Sequence, residues 1–147
     1  MLKEFQAGYL ARNKDAVDSF VDRLFLPGNS VFALGTGSGE LFAGAEKVRE
    51  LISYDWEYWG DLRLNLDEAR IGTAGDHGWF AVEGTVSRSF EDSAARRDRY
   101  LAFVSEKAKD ESMSGSVQVH SGDWKFGPIH FSLPRHALSP GTLRVTQ

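Results

Sequence analysis

Two side chains near the C-terminus have types and spacing suited to proton chemistry. His130 and Ser132 lie two apart on the final extended run, which begins at Trp124, so they project to one side. Trp124, Phe126 and Pro128 share that side if the run is a regular strand. On a concave face, an imidazole among apolar rings could act as general acid or base, or hold a polar ligand group. The plainer alternative is a structural histidine bonded by a neighbouring strand. Two carboxylates are candidates to share the work. Glu83 falls on one face with Trp79, Ala81 and Thr85. Beside Trp in a closed cavity, burial would raise its pKa and let it pass protons. Phe80, Val82 and Val86 make the opposite face apolar. If that face points inward, Glu83 is solvated or lies at a subunit interface. Asp55 sits on the apolar stripe of a helix and is the alternative proton carrier. Around it Tyr54, Trp56, Tyr58 and Trp59 form an aromatic cluster. These rings could wall a pocket and offer hydroxyl donors, or simply close the core.

Other local patterns carry less. Gly35-Thr36-Gly37-Ser38-Gly39 lacks the Lys-Ser/Thr ending of a phosphate loop and the spacing of a dinucleotide fingerprint, and a hairpin turn explains it. Arg96, Arg97, Arg99, Lys107 and Lys109 are interrupted by Asp98 and Glu106, which reads as a solvated face. His77, His120 and His136 have no metal-ligand spacing. The chain has no cysteine, which excludes disulfides, thiolate catalysis and Cys-ligated zinc. No metal and no cofactor are expected.

The elements that must position these groups follow from hydrophobic periodicity. Leu2, Phe5 and Tyr9 repeat at helical spacing until Asn13, which can cap a second helix with Ala16, Val17, Phe20, Val21, Leu24 and Phe25 on one face. Pro27-Gly28-Asn29 ends it. Residues Ser30 to Leu34 and Glu40 to Phe42 read as a hairpin. A third helix runs from near Gly44 to Gly60, with Val48, Leu51, Ile52, Asp55 and Trp59 on one face. From Leu62 the period becomes two. Trp79 to Phe90 reads as a long strand after a turn at Asp76-His77-Gly78, and Ser116 to Leu133 as a hairpin turning at Ser121-Gly122-Asp123. Between them, residues near 93–110 are rich in helix formers and predict an inserted helix, although Tyr100 to Val104 could also be a strand. Helices first and strands after indicate an α+β fold, not a doubly wound parallel sheet.

At 147 residues, 41% hydrophobic and 26% charged, the chain suits one globular domain. We assign 1–135 to that domain and 136–147 to an irregular tail. A net charge of -4 gives no electrostatic reason to bind nucleic acid. The N-terminus does not read as a signal peptide, and no apolar run approaches the roughly 18 residues of a membrane span. A cytoplasmic location and no membrane partner are expected.

Several strings resemble the SnoaL-like family of the nuclear transport factor two superfamily. They are Gly39-Glu40-Leu41-Phe42-Ala43-Gly44 before the third helix, Gly78-Trp79-Phe80 opening a long strand, and Gly122-Asp123-Trp124-Lys125-Phe126 running on to His130-Phe131-Ser132-Leu133-Pro134. The resemblance spans roughly Phe5 to Pro134. It implies a cone-shaped α+β domain, three helices packed on a strongly curved antiparallel sheet of four to six strands, with homodimerisation through that sheet. It also implies that the aromatic end of the third helix borders a pocket for a hydrophobic small molecule. Tyr54, Trp56, Trp59, Trp79, Trp124, Phe126 and Ser132 are then the candidate ligand-binding residues, and His130, Glu83 and Asp55 the candidate catalytic ones. Pro128 stands where many relatives carry a further histidine, which argues against a two-histidine site. The family includes isomerases, dehydratases, hydrolases and cyclases as well as non-catalytic assembly modules, so fold alone selects none.

Overall fold

A computed structural model of the protein describes residues 1–35, 39–87 and 109–132. Helix α1 (Leu2–Ala11) buries Leu2, Phe5 and Tyr9 along its apolar stripe and stops where Arg12 turns left-handed at φ 48°. Asn13 then caps a 3-10 turn, its side chain accepting from the Asp15 N–H at 3.1 Å. That turn leads into α2 (Val17–Leu24), which buries Val17, Val21 and Leu24. Helix α3 (Ala45–Tyr58) is the longest and buries Val48, Leu51, Ile52, Asp55 and Trp56. Arg49 on α3 ties it to α2, bonding the Asp18 carbonyl and the Asp22 carboxylate.

The described strands are β1 (Phe32–Leu34), β2 (Leu41–Ala43), β3 (Asp61–Leu64), β4 (Arg70–Ala74), β5 (His77–Ser87), β6 (Lys109–His120) and β7 (Asp123–Ser132). They form one sheet in the order β2-β1-β7-β6-β5-β3, with β4 also paired to β5. Every pairing is antiparallel except β1 with β7. The sheet is curved and unclosed, and its three helices make the protein α+β, as expected. It is mixed and seven-stranded, however, where four to six antiparallel strands were expected. The periodicity reading passed over β4, whose residues are too exposed to show a buried alternation.

One face of the sheet meets the helices. Phe80, Val82 and Val86 of β5, Met113 and Val117 of β6, and Phe126, Ile129 and Phe131 of β7 are buried there with Phe5, Tyr9, Phe25 and Ile52. At 1.5–3 kcal/mol, roughly, for each large apolar side chain removed from water, this cluster is the main source of stability. The expected helix near 93–110 lies outside the described residues except for Lys109 and Asp110, which belong to β6. The tail from 136 also lies outside them. No described helix is long and apolar enough to cross a membrane.

Strand β7 contains the feature that decides the site. Val117 pairs with Phe126 and Gly115 with Ile129, so two steps on β6 match three on β7. The extra residue falls at Gly127-Pro128, where proline has no N–H to give to the ladder. Gly115 opposite must lack a side chain, because a Cβ there would lie 2.3 Å from the Pro128 carbonyl oxygen. The bulge reverses the alternation of β7: Phe126 faces the core before it, Ile129 and Phe131 after it.

Candidate functional site

Polar groups are buried at one place in this apolar interior. Asp55, one turn before the end of α3, is 6% exposed and accepts a 2.6 Å hydrogen bond from the Tyr9 hydroxyl of α1. Both positions lie on helical stripes that otherwise carry apolar residues, which is why folding drives them inward together. Glu111, near the start of β6, is 4% exposed. It shares the inner face with Met113, opposite Gly84 of β5. Its Oε1 is fully buried and accepts no hydrogen bond among the described residues. Burial above all, then the negative charges of Asp55 and Glu40, pushes the Glu111 carboxyl up to about 8. Glu111 is therefore mostly a neutral acid at pH 7. Burial, reinforced by Asp55, also holds the Tyr9 phenol well above its usual range, so it remains a donor.

Aromatic rings pack around Tyr9. Trp59 packs edge-on against Tyr9 at 6.1 Å and against Phe131 at 5.5 Å. Tyr9 stacks on Phe5 at 4.7 Å, and Trp56 meets it edge-on at 6.2 Å. The indole N–H of Trp56 is buried and finds no acceptor among the described residues. A neutral acid, an oriented carboxylate and apolar rings together can give a proton, take one, or hold a polar group in a dry setting.

The expected site residues divide sharply. Asp55 and Trp59 both lie against Tyr9, and Trp56 packs against Phe20 at 4.9 Å. His130 does not join them. The bulge at Gly127-Pro128 turns it to the outer face, where it is exposed beside Ser114. Ser132 lies on that outer face too, its hydroxyl 2.7 Å from that of Ser112. Glu83 is exposed on the outer face of β5, since Phe80, Val82 and Val86 take the inner one. Tyr54 is 52% exposed and packs at a tilt against the Tyr58 ring instead of lining the interior. Trp79 and Trp124 meet elsewhere, at an apolar cleft of about 270 Å³ with Ile71, Phe80, Val117 and Phe126. The reading of β7 as an uninterrupted strand explains the error at His130 and Ser132.

Two functional candidates, Tyr9 and Glu111, were not singled out from the sequence. The run Glu111-Ser-Met-Ser-Gly-Ser-Val117 alternates serine with Met, Gly and Val, and that period of two places Glu111 on the Met113 face. Helix-forming residues just before it obscured the signal. Among the described residues, no group of three or more His, Asp or Glu side chains could hold a metal ion.

Comparison with known proteins places the chain among a wider group. A sequence model described as a SnoaL-like domain matches residues 5–136. No curated protein matches significantly. An NTF2-like protein of unknown function from Pseudomonas putida KT2440 superposes with a TM-score of 0.65 at 11% identity, covering 90% of this chain and 81% of that one. An NTF2-like superfamily protein from Salmonella enterica gives 0.65 at 11% identity, covering 90% and 85%. An NTF2-like protein with a cystatin-like fold from Novosphingobium aromaticivorans gives 0.61 at 14% identity, covering 96% and 83%. At such identities the likeness concerns fold alone.

Proposed function

We propose that this chain, which belongs to the SnoaL-like domain family, binds a small, largely apolar molecule inside its curved sheet and exchanges a proton with it. The observation that carries this reading is the buried Tyr9–Asp55 hydrogen bond beside the unpartnered Glu111. Burying two carboxyl groups costs stability unless they are paired or neutralised, so a fold that served only packing would gain from apolar residues there. In the proposed chemistry Glu111, neutral at pH 7, gives its proton to a ligand oxygen or nitrogen. Asp55, held in place by the Tyr9 hydroxyl, takes a proton from an adjacent carbon or heteroatom. Trp59 and Phe131 supply apolar contact and keep water away. Such an exchange is the common core of isomerisation, dehydration and cyclisation, and it calls for no cofactor.

The test is a thermal-shift screen of apolar cyclic compounds against the wild-type chain and four variants. Stabilising ligands should keep their effect in His130→Ala and Glu83→Ala, which alter only the outer face. They should lose part of it in Glu111→Gln and Asp55→Asn. Ligand effects abolished by the outer-face substitutions but not by the inner ones would overturn the assignment, as would the absence of any stabilising ligand.

A second reading rests on the outer face of the sheet. Leu34 and Leu41 at one end are 37% and 58% exposed, and Trp79 at the other is 58% exposed. Between them stand Ser112, Ser114, Ser116, Ala81 and His130. A face of small residues flanked by exposed apolar groups suits a homodimer through the sheet, with or without activity in the interior.

A further inference from the structure

We propose that the groove between α1 and α2 is a binding site for a neutral molecule of one or two rings that carries a carbonyl oxygen. The groove shares Trp56 with the aromatic group around Tyr9 but none of the carboxyl groups, and the proposal does not depend on the reading of the interior.

The groove has a volume of about 360 Å³. An apolar cavity of about 150 Å³ holds benzene, so this space suits one or two fused rings. Its walls are short side chains, Ala7, Gly8 and Ala11 on α1 and Ser19 on α2. Phe20 and Trp56 line it with aromatic surface, their rings edge to face at 4.9 Å. The polar groups at its edge already have partners. Glu4 and Arg23 pair across the two helices at 2.9 Å, and the Ser19 hydroxyl donates to the Ala16 carbonyl at 3.0 Å. The Asn13 side chain holds the cap on the Asp15 N–H. Glu4 and Arg23 cancel in charge, so the lining calls for no charged ligand.

One polar atom is left over. Trp56 is 4% exposed, and its indole N–H is buried with no acceptor among the described residues. A donor in that state normally costs stability, and a ligand acceptor removes the cost. An indole nitrogen only donates, so its partner must be an acceptor.

Gly8 leaves room for that partner. A Cβ at Gly8 would lie 3.1 Å from Cζ2 of Trp56, the ring carbon next to the one bonded to the nitrogen. It would also collide with the Phe20 ring. The missing side chain therefore makes a notch over the N–H edge of the indole, and the edge of the half-buried Phe20 ring occupies it. A planar ligand that displaces this ring edge brings its carbonyl oxygen to the N–H. A hydrocarbon would fill the groove and leave the donor unpaired. A carboxylate would bring a charge that only Arg23, already paired with Glu4, could meet.

Two probes of one shape test this, 1-indanone and indane, which differ in the carbonyl oxygen. A proton–nitrogen correlation spectrum gives one indole signal for each tryptophan, and the signal lost in Trp56→Phe is that of Trp56. 1-Indanone should move this signal downfield and bind about tenfold more tightly than indane, the gain of one hydrogen bond to a donor otherwise unpaired. Trp56→Phe keeps a ring and removes the N–H, so the two probes should then bind alike. Ala7→Leu fills the groove from an exposed position and should weaken both probes at least tenfold. Circular dichroism checks folding, and Ala7→Leu carries the test if Trp56→Phe does not fold. Equal affinity of the wild-type chain for the two probes, or a Trp56 signal that stays in place, would overturn the proposal. So would undiminished binding in Ala7→Leu, which would put the probe elsewhere, or no binding of either probe.

Discussion

Glu111 concentrates the energetics of the molecule in one side chain. Its carboxyl titrates at about 8 in the folded chain against an ordinary value of 4.5. Between these two values the folded protein holds a proton that the unfolded chain has lost, so stability falls as pH rises. The contribution is fully present below pH 4.5, declines through the interval, and is gone above about pH 8. At roughly 1.4 kcal/mol per pH unit the loss amounts to a few kcal/mol. Denaturant unfolding from pH 5 to 9 should show this decline, and Glu111→Gln should flatten it. A wild-type profile with no slope in that range would show that Glu111 is not held neutral. Tyr9→Phe is the complementary change. It removes the 2.6 Å bond to Asp55 while keeping the ring, and should cost about 1.5–3 kcal/mol, the range for a hydrogen bond to a charged group.

At the scale of elements, the bulge in β7 decides which of its side chains face the interior. A regular strand from Trp124 would have put His130 on the Phe126 face. One extra residue at Gly127-Pro128 sends His130 and Ser132 outward and leaves Ile129 and Phe131 against the helices. The device depends on close approach by Gly115, so Gly115→Ala should be costly. The new methyl would press on backbone atoms of Pro128 and Ile129, which cannot swing aside. We expect a loss of about 1–3 kcal/mol, read as a lower denaturation midpoint with an unchanged slope. Stability equal to wild type would mean that the strands are not this close.

For the whole molecule, the two proposed roles would fall on opposite faces of one sheet. The inner face carries the buried acid group and its rings, and the outer face carries Leu34, Leu41 and Trp79 exposed at its ends. Association through the outer face should therefore be separable from ligand binding in the interior. Light scattering on the wild-type chain should give twice the monomer mass, and the double variant Leu34→Lys, Trp79→Lys should give the monomer mass with ligand stabilisation retained. A monomeric wild-type chain would dismiss the association reading.

The sequence alone determined the three helices before residue 60, the α+β class and the burial of Asp55, because each rests on local periodicity. Leu2, Phe5 and Tyr9, the Asn13 cap, and the stripe from Val48 through Asp55 signal within a few turns of chain. The Glu83 face was legible as a choice between two sides, since alternation tells which residues share a face but not which face is covered. Only tertiary structure made that choice, by laying the helices on Phe80, Val82 and Val86. Likewise, Tyr9, Asp55 and Glu111 stand far apart in the chain, and their meeting depends on packing between α1, α3 and β6. The outward turn of His130 depends on strand register, a property of two strands together that neither strand's own residues specify.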